Sequence, residues 1–555
     1  MAALLAGVPI LVVLVLMVGR RWAASRAGLV GAALALLIAV TAFDFGRGVP
    51  AEAPGAGAYL GTFGEALFTS ATILWIVVPA LAIHHLQVAT GATDRLRLAL
   101  AGLAADPRLF ALLIGWFFAL FVEGAAGFGA SVALAAPFLV GVGYRPLDAV
   151  VVAMLGHAIG VSFGAIGTPV VPQVAATGLT GREIAAATAS LHLAAGWLLL
   201  AVLVVVASRA LGRAPRGAIW GWALLAGAAF LVPYWLIATF VGPELPTLGG
   251  SLIGIAVFVA VLKLVGGGAA RPAGAPPVEV PGASTAAPAP PIERPARGAQ
   301  TRAEPVRGGK AVHGREPTPH GGAVTAPPTA SELARAAAPY LVLVVLVLLT
   351  RLVPAIRDPL VSVELAWELP GGFAGVFRPL SHPGTLLAVS FLGGAVLQRV
   401  GGAAVVRALR TTLAQLGGVT VALVAMLSLA RIMVHAGMTQ SLAEAAAAAA
   451  GGTWPLLAPL VGVLGTFVTG SATASNVLFT DLQVATADAL ELPLTPMVAA
   501  QGYGAAVGNI VCPHNIVAAG ATVGLTGAEG EVLRRTMTPA LAYAVIGGLL
   551  VLLLT

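Results

Sequence analysis

The sequence predicts an all-α polytopic membrane protein made of two repeated halves, with interrupted helices and re-entrant hairpins. Three observations predict it. Of 555 residues, 58% are hydrophobic and only 10% are charged, and the mean hydropathy is +0.95, far outside the range of soluble domains. The apolar residues fall in stretches of roughly the length that an α-helix needs to cross a hydrocarbon core about 30 Å thick, without the short alternating segments of a membrane barrel. Finally, runs of small residues interrupt these stretches in both halves, 346 positions apart.

Taken in order, the first half opens with 2–19. This stretch has no basic leader and runs directly into Arg20 and Arg21, so it reads as a retained helix and not a cleaved signal. Spans follow at 27–42, 67–88, 110–122, 128–142, 147–164, the short 170–176, 184–207, 218–240 and 252–265. The second half has 341–352, 386–397, 419–433, 456–468, 477–490, 498–511, the short 516–523 and 541–554. Several are too short to cross alone and read as halves of broken spans or hairpins. The expected division is a first membrane half at 1–265 with a repeat core near 64–207, a linker at 266–334, and a second half at 335–555 with a core near 410–553. The linker is rich in Pro, Ala, Gly and Arg and buries too little apolar surface to offset its ordering entropy, so it reads as a disordered cytoplasmic tether.

The repeat is the strongest organisational feature. Gly124 to Gly178 spans 54 positions, as does Gly470 to Gly524. Gly178-Leu179-Thr180-Gly181-Arg182-Glu183 matches Gly524-Leu525-Thr526-Gly527-Ala528-Glu529, with Gly156 on Gly502 and Val161 on Val507 between them. Charge bears on orientation. Arg20, Arg21 and Arg26 place the first connection in the cytoplasm, so the second and third spans lead back to a cytoplasmic loop carrying Arg95, Arg97 and Arg108. The equivalent loop of the second copy, 436–454, has no Lys or Arg, whereas Arg534 and Arg535 mark the far end of that copy. The copies therefore read as inverted, a parallel duplication being the alternative. Non-helical backbone survives at membrane depth only where it is buried in protein or lines a cavity. Paired breaks in two such halves are the signature of a transporter's binding site.

The residues at the breaks also carry a resemblance. Glu123-Gly124-Ala125-Ala126-Gly127-Phe128-Gly129, then Phe163-Gly164-Ala165-Ile166-Gly167-Thr168-Pro169, then Phe467-Val468-Thr469-Gly470-Ser471 with Ser475-Asn476, and Pro513 with Thr522-Val523-Gly524-Leu525 resemble the L-lactate permease family, which includes glycolate permeases. The resemblance covers both membrane halves and omits the linker. It implies a bacterial inner-membrane carrier that takes up a small 2-hydroxymonocarboxylate with a proton, within a wider group of anion transporters built from inverted repeats with re-entrant hairpins. The chain departs from the family pattern at Ala472, where the family carries an aspartate, and near Asn509, where it carries a lysine.

A carboxylate substrate calls for freed backbone N–H groups, hydroxyl and amide donors, and a cation. The candidates are Gly124, Ala125, Gly127 and Gly129 at the first break, Gly470, Ser471, Thr473, Ser475 and Asn476 at the second, and Arg431 as counter-ion. Close packing is the competing explanation, since small residues are what membrane helix interfaces use; recurrence of the break in both copies favours a site. Arg431 is equally suited to snorkelling or to pairing with a buried acid. Glu123 is the first candidate for the proton-coupling group, because an intramembrane carboxyl binds and releases protons readily. Asp481, His157 and His514 are further coupling candidates, each with a structural alternative as an ion-paired or hydrogen-bonded group.

The expected function is secondary transport of a small organic anion, most simply proton-coupled uptake of L-lactate or glycolate. A sodium-coupled carrier of another carboxylate and an anion channel are the alternatives. No nucleotide-binding loop, metal motif or nucleophile elbow occurs, so no cofactor, metal or enzymatic activity is expected. The implied partners are the anion, a proton or sodium ion and the lipid bilayer, with no nucleic acid; a homodimer is compatible with the sequence.

Overall fold

The fold follows from how the apolar runs pack in the computed structural model. It describes residues 2–47 apart from 19 and 21, 55–127 apart from 102, 104 and 105, 129–265, 329–370, 373–525 and 528–555. Most of the expected linker, 266–328, and Phe128 lie outside the described residues. Among the described residues, ten helices are long and apolar enough to cross a membrane.

The first half runs α1 (Ala2–Val18), α2 (Ala24–Ala42), α3 (Ala56–Ala89), α4 (Ala92–Ala101), α5 (Pro107–Ala125), α6 (Ala130–Gly141), α7 (Pro146–His157), α8 (Val171–Thr177), α9 (Gly181–Ala210), α10 (Ile219–Phe240) and α11 (Pro246–Leu264). After the linker come α12 (Ala330–Ala336) and α13 (Ala338–Leu352), bent by 63° at their junction, and α14 (Pro354–Ser362). A short hairpin follows, in which β1 (Leu365–Leu369) pairs antiparallel with β2 (Phe373–Phe377), Leu365 opposite Phe377. The chain ends with α15 (Pro383–Leu397), α16 (Gly402–His435), α17 (Met438–Ala450), α18 (Trp454–Thr469), α19 (Ala472–Ala489), α20 (Leu494–Gly508), α21 (Pro513–Thr522) and α22 (Glu529–Leu554). The hairpin is an addition to the predicted all-α plan.

Helix boundaries have local causes. Proline at the first position, where its missing N–H costs nothing, starts α7, α11 and α21 at Pro146, Pro246 and Pro513. A capping box opens α9: the Thr180 hydroxyl accepts from the Glu183 amide while the Glu183 carboxylate accepts from the Thr180 amide at 2.8 Å. α3 and α16 are both 34 residues long and begin 346 positions apart. They extend well before the apolar runs at 67–88 and 419–433, and in α16 the added turns keep Arg407, Arg410 and Gln415 exposed. Glu65 on α3 pairs with His435 on α16 at 2.8 Å.

The core sits around α5, α7 and the segment after it. In their most apolar windows, Pro107–Ala125 is 94% buried and Pro146–Thr177 is 100% buried, as expected of helices apolar on every side. The outer helices instead turn Leu60, Leu224 and Val396 outwards, each more than half exposed, on the faces that meet lipid. Close crossings depend on glycine: a Cβ on Gly156 of α7 would lie 1.6 Å from the Gly115 carbonyl oxygen of α5, and one on Gly504 of α20 would lie 2.0 Å from the Pro459 carbonyl oxygen of α18. A close glycine crossing thus joins the corresponding helix pair in each half.

Candidate functional site

Four interruptions of helical backbone converge. Between α5 and α6 the chain turns through Gly127 and Gly129, at φ of 59° and 79°, a region glycine enters without steric cost. Between α18 and α19 it turns through Gly470 at φ 77°, and the Ser471 hydroxyl caps α19 by accepting from the Ala474 amide. After α7 the helix tightens over 158–163, and Ala165, Ile166 and Gly167 are all left-handed, at φ of 41°, 58° and 75°. After α20 comes a single tight turn, Asn509–Val511, before α21. One small cavity of about 30 Å³ is lined from all four: Glu123, Gly127 and Gly129; Gly164, Ala165 and Thr168; Gly470, Ser471 and Thr473; and Asn509.

Glu123 supplies the charge. It is 4% exposed, and the Ser131 hydroxyl of α6 donates to its Oε2 at 2.7 Å. Its Oε1 lies against Gly164, where an added Cβ would come within 2.6 Å. Among the described residues lining the cavity, Glu123 is the one that ionises. The N-termini of α6 and α19 both begin at this cavity, the end of a helix that favours an anion.

The other residues expected at the site fall into distinct places. Gly124 and Ala125 lie in the last turn of α5, and Gly124 packs on the Leu248 backbone, 2.6 Å from where its Cβ would be. The Ser475 hydroxyl donates to the Gly462 carbonyl at 2.9 Å, and the Asn476 amide donates to the Pro169 carbonyl at 2.8 Å. Both side chains therefore tie α19 in place. His157 is buried, with Nδ1 3.1 Å from the Ala153 carbonyl. His514 is exposed at the start of α21, beside Gly470. Arg431 and Asp481 share a separate crevice between α16 and α19.

A second, larger cavity of about 790 Å³ lies on the other side of the left-handed turn. Ile166, Gly167 and Val170 form part of its floor, and Glu65, Arg182, Glu244, Arg351, Arg378, His382 and Arg431 are its polar lining. Arg351 pairs with Glu244 at 2.5 Å. Burial and the neighbouring Arg351 charge push the His382 imidazole down to about 4, so it is neutral at physiological pH. Nothing in the sequence singles out Ser131, Glu244 or Arg351. The 163–169 segment carries a signal in Gly164, Gly167 and Pro169, which punctuate an apolar run, but it draws notice only through the family resemblance.

Residues 2–270 and 372–555 match the family model of the L-lactate permeases. The chain belongs to the L-lactate permease family. The whole chain aligns with 95% of the glycolate permease of Escherichia coli (strain K12) at 30% identity. The L-lactate permease of Streptococcus iniae is 28% identical over 88% of this chain and 92% of its own length, and that of Bacillus subtilis (strain 168) 27% identical over 98% and 93%. Among solved structures, the YdaH transporter of Alcanivorax borkumensis matches with a TM-score of 0.45 and 14% identity over 93% of this chain and 97% of its own. As a member of the L-lactate permease family, the chain is an integral protein of the bacterial inner membrane and a membrane transporter. Ala472 and Asn509, singled out in the sequence by the family resemblance, both line the small cavity.

Proposed function

We propose that the protein takes up a small 2-hydroxymonocarboxylate such as L-lactate or glycolate together with a proton, and that the cavity at Glu123 is where the two meet. The observation that carries this reading is the position of Glu123, held by Ser131 on the wall of a cavity at which all four helix breaks converge. Two like charges about 4 Å apart repel by about 4 kcal/mol at an effective dielectric constant of 20. An anion bound against ionised Glu123 meets that repulsion, and one bound against protonated Glu123 does not. Anion and proton therefore bind together, which is symport. With Ala472 and Asn509 uncharged, no other ionisable side chain among the described residues lining the cavity shares the task.

Gly127, Gly129, Gly470, Ser471 and Thr473 surround the carboxylate in this reading, with backbone N–H groups and hydroxyls as donors. The cavity is small, about 30 Å³, and in this reading the hairpins part to admit the acid. The glycine turns at 127–129 and 470 are the hinges. The larger cavity is the way in, and the turn 165–167 divides it from the site.

The arrangement of the halves is proposed to be inverted. α9 starts at Gly181, on the larger cavity, and its other end is followed by Arg213, which pairs with Asp106 at the base of the first hairpin. The equivalent helix of the second half, α22, starts with Arg535 paired to Asp148, beside that same base. Equivalent helices beginning at opposite faces support inversion. The face that carries Arg108, Arg145, Arg213 and Arg535 is then cytoplasmic, and the larger cavity opens to the periplasm.

Purified protein in liposomes tests the reading. Radiolabelled L-lactate or glycolate should accumulate under an imposed proton gradient and not under a sodium gradient alone. Glu123→Gln, a neutral mimic of the protonated acid, should lose accumulation and retain exchange of preloaded substrate. Accumulation by that variant at the wild-type level would remove Glu123 from the coupling step, and accumulation driven by sodium alone would replace the proton.

A further inference from the structure

The larger cavity has a chemistry that the inner site does not use. Its lining carries four arginines, Arg182, Arg351, Arg378 and Arg431, against two acids, Glu65 and Glu244. Glu65 is occupied by His435, and Arg378 is paired with the exposed Glu364. Two arginines keep donors in reserve. Arg351 uses Nη2 on Glu244 Oε1 at 2.5 Å and on the Ser381 carbonyl at 3.4 Å, while its Nε is buried without an acceptor. Arg431 lies in the same crevice as Asp481 and interacts with its charge, but no ion pair within 4 Å joins them, and the buried Nε of Arg431 also lacks an acceptor. A buried N–H without a partner costs stability unless something fills the vacancy.

We propose that this vestibule is a second, outer binding site for a small monocarboxylate, in which the guanidinium groups of Arg351 and Arg431 capture the anion before it passes the turn at 165–167 to Glu123. The proposal rests on the carboxylate reading of the inner site. A guanidinium offers a planar fork that matches a carboxylate edge to edge. Glu244 already presents one carboxylate oxygen to Arg351, and its other oxygen has no donor, so the pair is held through Nη2 alone. Because His382 is neutral and Glu65 is engaged, the net charge facing the cavity is positive. An anion therefore gains in the vestibule what it lacks beside Glu123, where no fixed cation stands among the described residues of the wall. The outer site concentrates the anion, and protonation of Glu123 then draws it inwards.

Equilibrium dialysis of radiolabelled glycolate against the full-length protein in lipid nanodiscs counts the sites. Two anions per chain are expected for the wild type, and one for Arg351→Gln/Arg431→Gln. Arg351→Lys/Arg431→Lys keeps the charge and removes the fork, and should weaken the outer site at least tenfold while leaving the inner one unchanged. In proteoliposomes the same variants should raise KM at least tenfold with Vmax within twofold of wild type. That rise should persist at about 0.5 M salt, where simple steering by surface charge is screened. A wild-type count of one, or a count of two in the glutamine variant, overturns the outer site and leaves the inner reading intact. A wild-type count of zero overturns the carboxylate reading itself. The wild-type count decides the question even if the double variants fail to fold.

Discussion

At the scale of the residue, the site depends on what is missing as much as on what is present. Gly164 has φ −62° and ψ 155°, a conformation open to any residue, so its small size is needed for space and not for the turn. The space is taken by Glu123 Oε1, 2.6 Å from where a Cβ would stand. Gly164→Ala must push that carboxyl from its contact with Ser131. The expected result is a loss of at least tenfold in proton-driven uptake, in protein that still elutes as a single species in detergent. Wild-type uptake in this variant would mean that the Glu123 carboxyl need not be held there. Glu123 itself was legible in the sequence, as an acid heading a glycine-rich run inside an apolar stretch. Ser131 was not, because a lone serine on an apolar helix is ordinary packing material in membranes, and only the fold brings it 2.7 Å from the acid.

At the scale of the element, the turn at 165–167 separates the two cavities and is strained. Ala165 and Ile166 hold left-handed backbone that costs an L-residue about 1–2 kcal/mol each, and neighbouring contacts hold them there. Gly167 rests on the Pro243 carbonyl oxygen, 2.6 Å from where a Cβ would be. Across the halves, the Asn476 amide donates to the Pro169 carbonyl, and Gln173 donates to the Val498 carbonyl at 2.8 Å. Ala165→Gly removes one methyl and one unfavourable φ, so the variant should be about 1 kcal/mol more stable, read as a rise in Tm of the detergent-solubilised protein. A fall in Tm would mean that the lost methyl contact outweighs the strain. Elements of this kind are the least legible in a sequence. The run at 147–164 reads as one uniform span, but its α-helix tightens after His157, where the Ile159 and Gly160 carbonyls accept from the Tyr234 and Thr247 hydroxyls. The repeat offset shows the same limit. It places α16 on α3 to the residue, yet the helices after the first turns begin at Ala130 and Ala472, 342 positions apart. The second copy thus breaks about one helical turn earlier than the ungapped match implies, which changes which small residues reach the cavity and leaves Ser475 and Asn476 as ties.

At the scale of the molecule, the two faces differ in how charge is managed. The face opposite the vestibule gathers its ions into compact groups: Asp106 with Arg108 at 2.8 Å and Arg213 at 3.4 Å, and Asp148 with Arg145 at 2.7 Å and Arg535 at 2.8 Å. These groups join the base of the first hairpin to α22 and to the end of α9, so they hold one end of the bundle closed. On the other face, arginines with unused donors surround an open cavity. A closed base and an open, cationic mouth suit the proposed uptake of an anion through the larger cavity. The base can be tested by pH. Partial burial works against ionisation of Asp106, but the hydrogen bonds and charge of Arg108, with the charge of Arg213, outweigh it and hold the carboxyl below its ordinary 3.8. A carboxyl depressed on folding adds stability that is complete above its unfolded value and is lost as the pH falls through the folded one. Asp106→Asn keeps a good helix N-cap and removes only the charge. The variant should therefore melt below the wild type at pH 7, and the gap should close as the pH falls below about 4, where the unfolded acid also takes up its proton. A gap of constant size down to about pH 3, well into the range where the free acid is protonated, would mean that the charge of Asp106 is not what holds the base together.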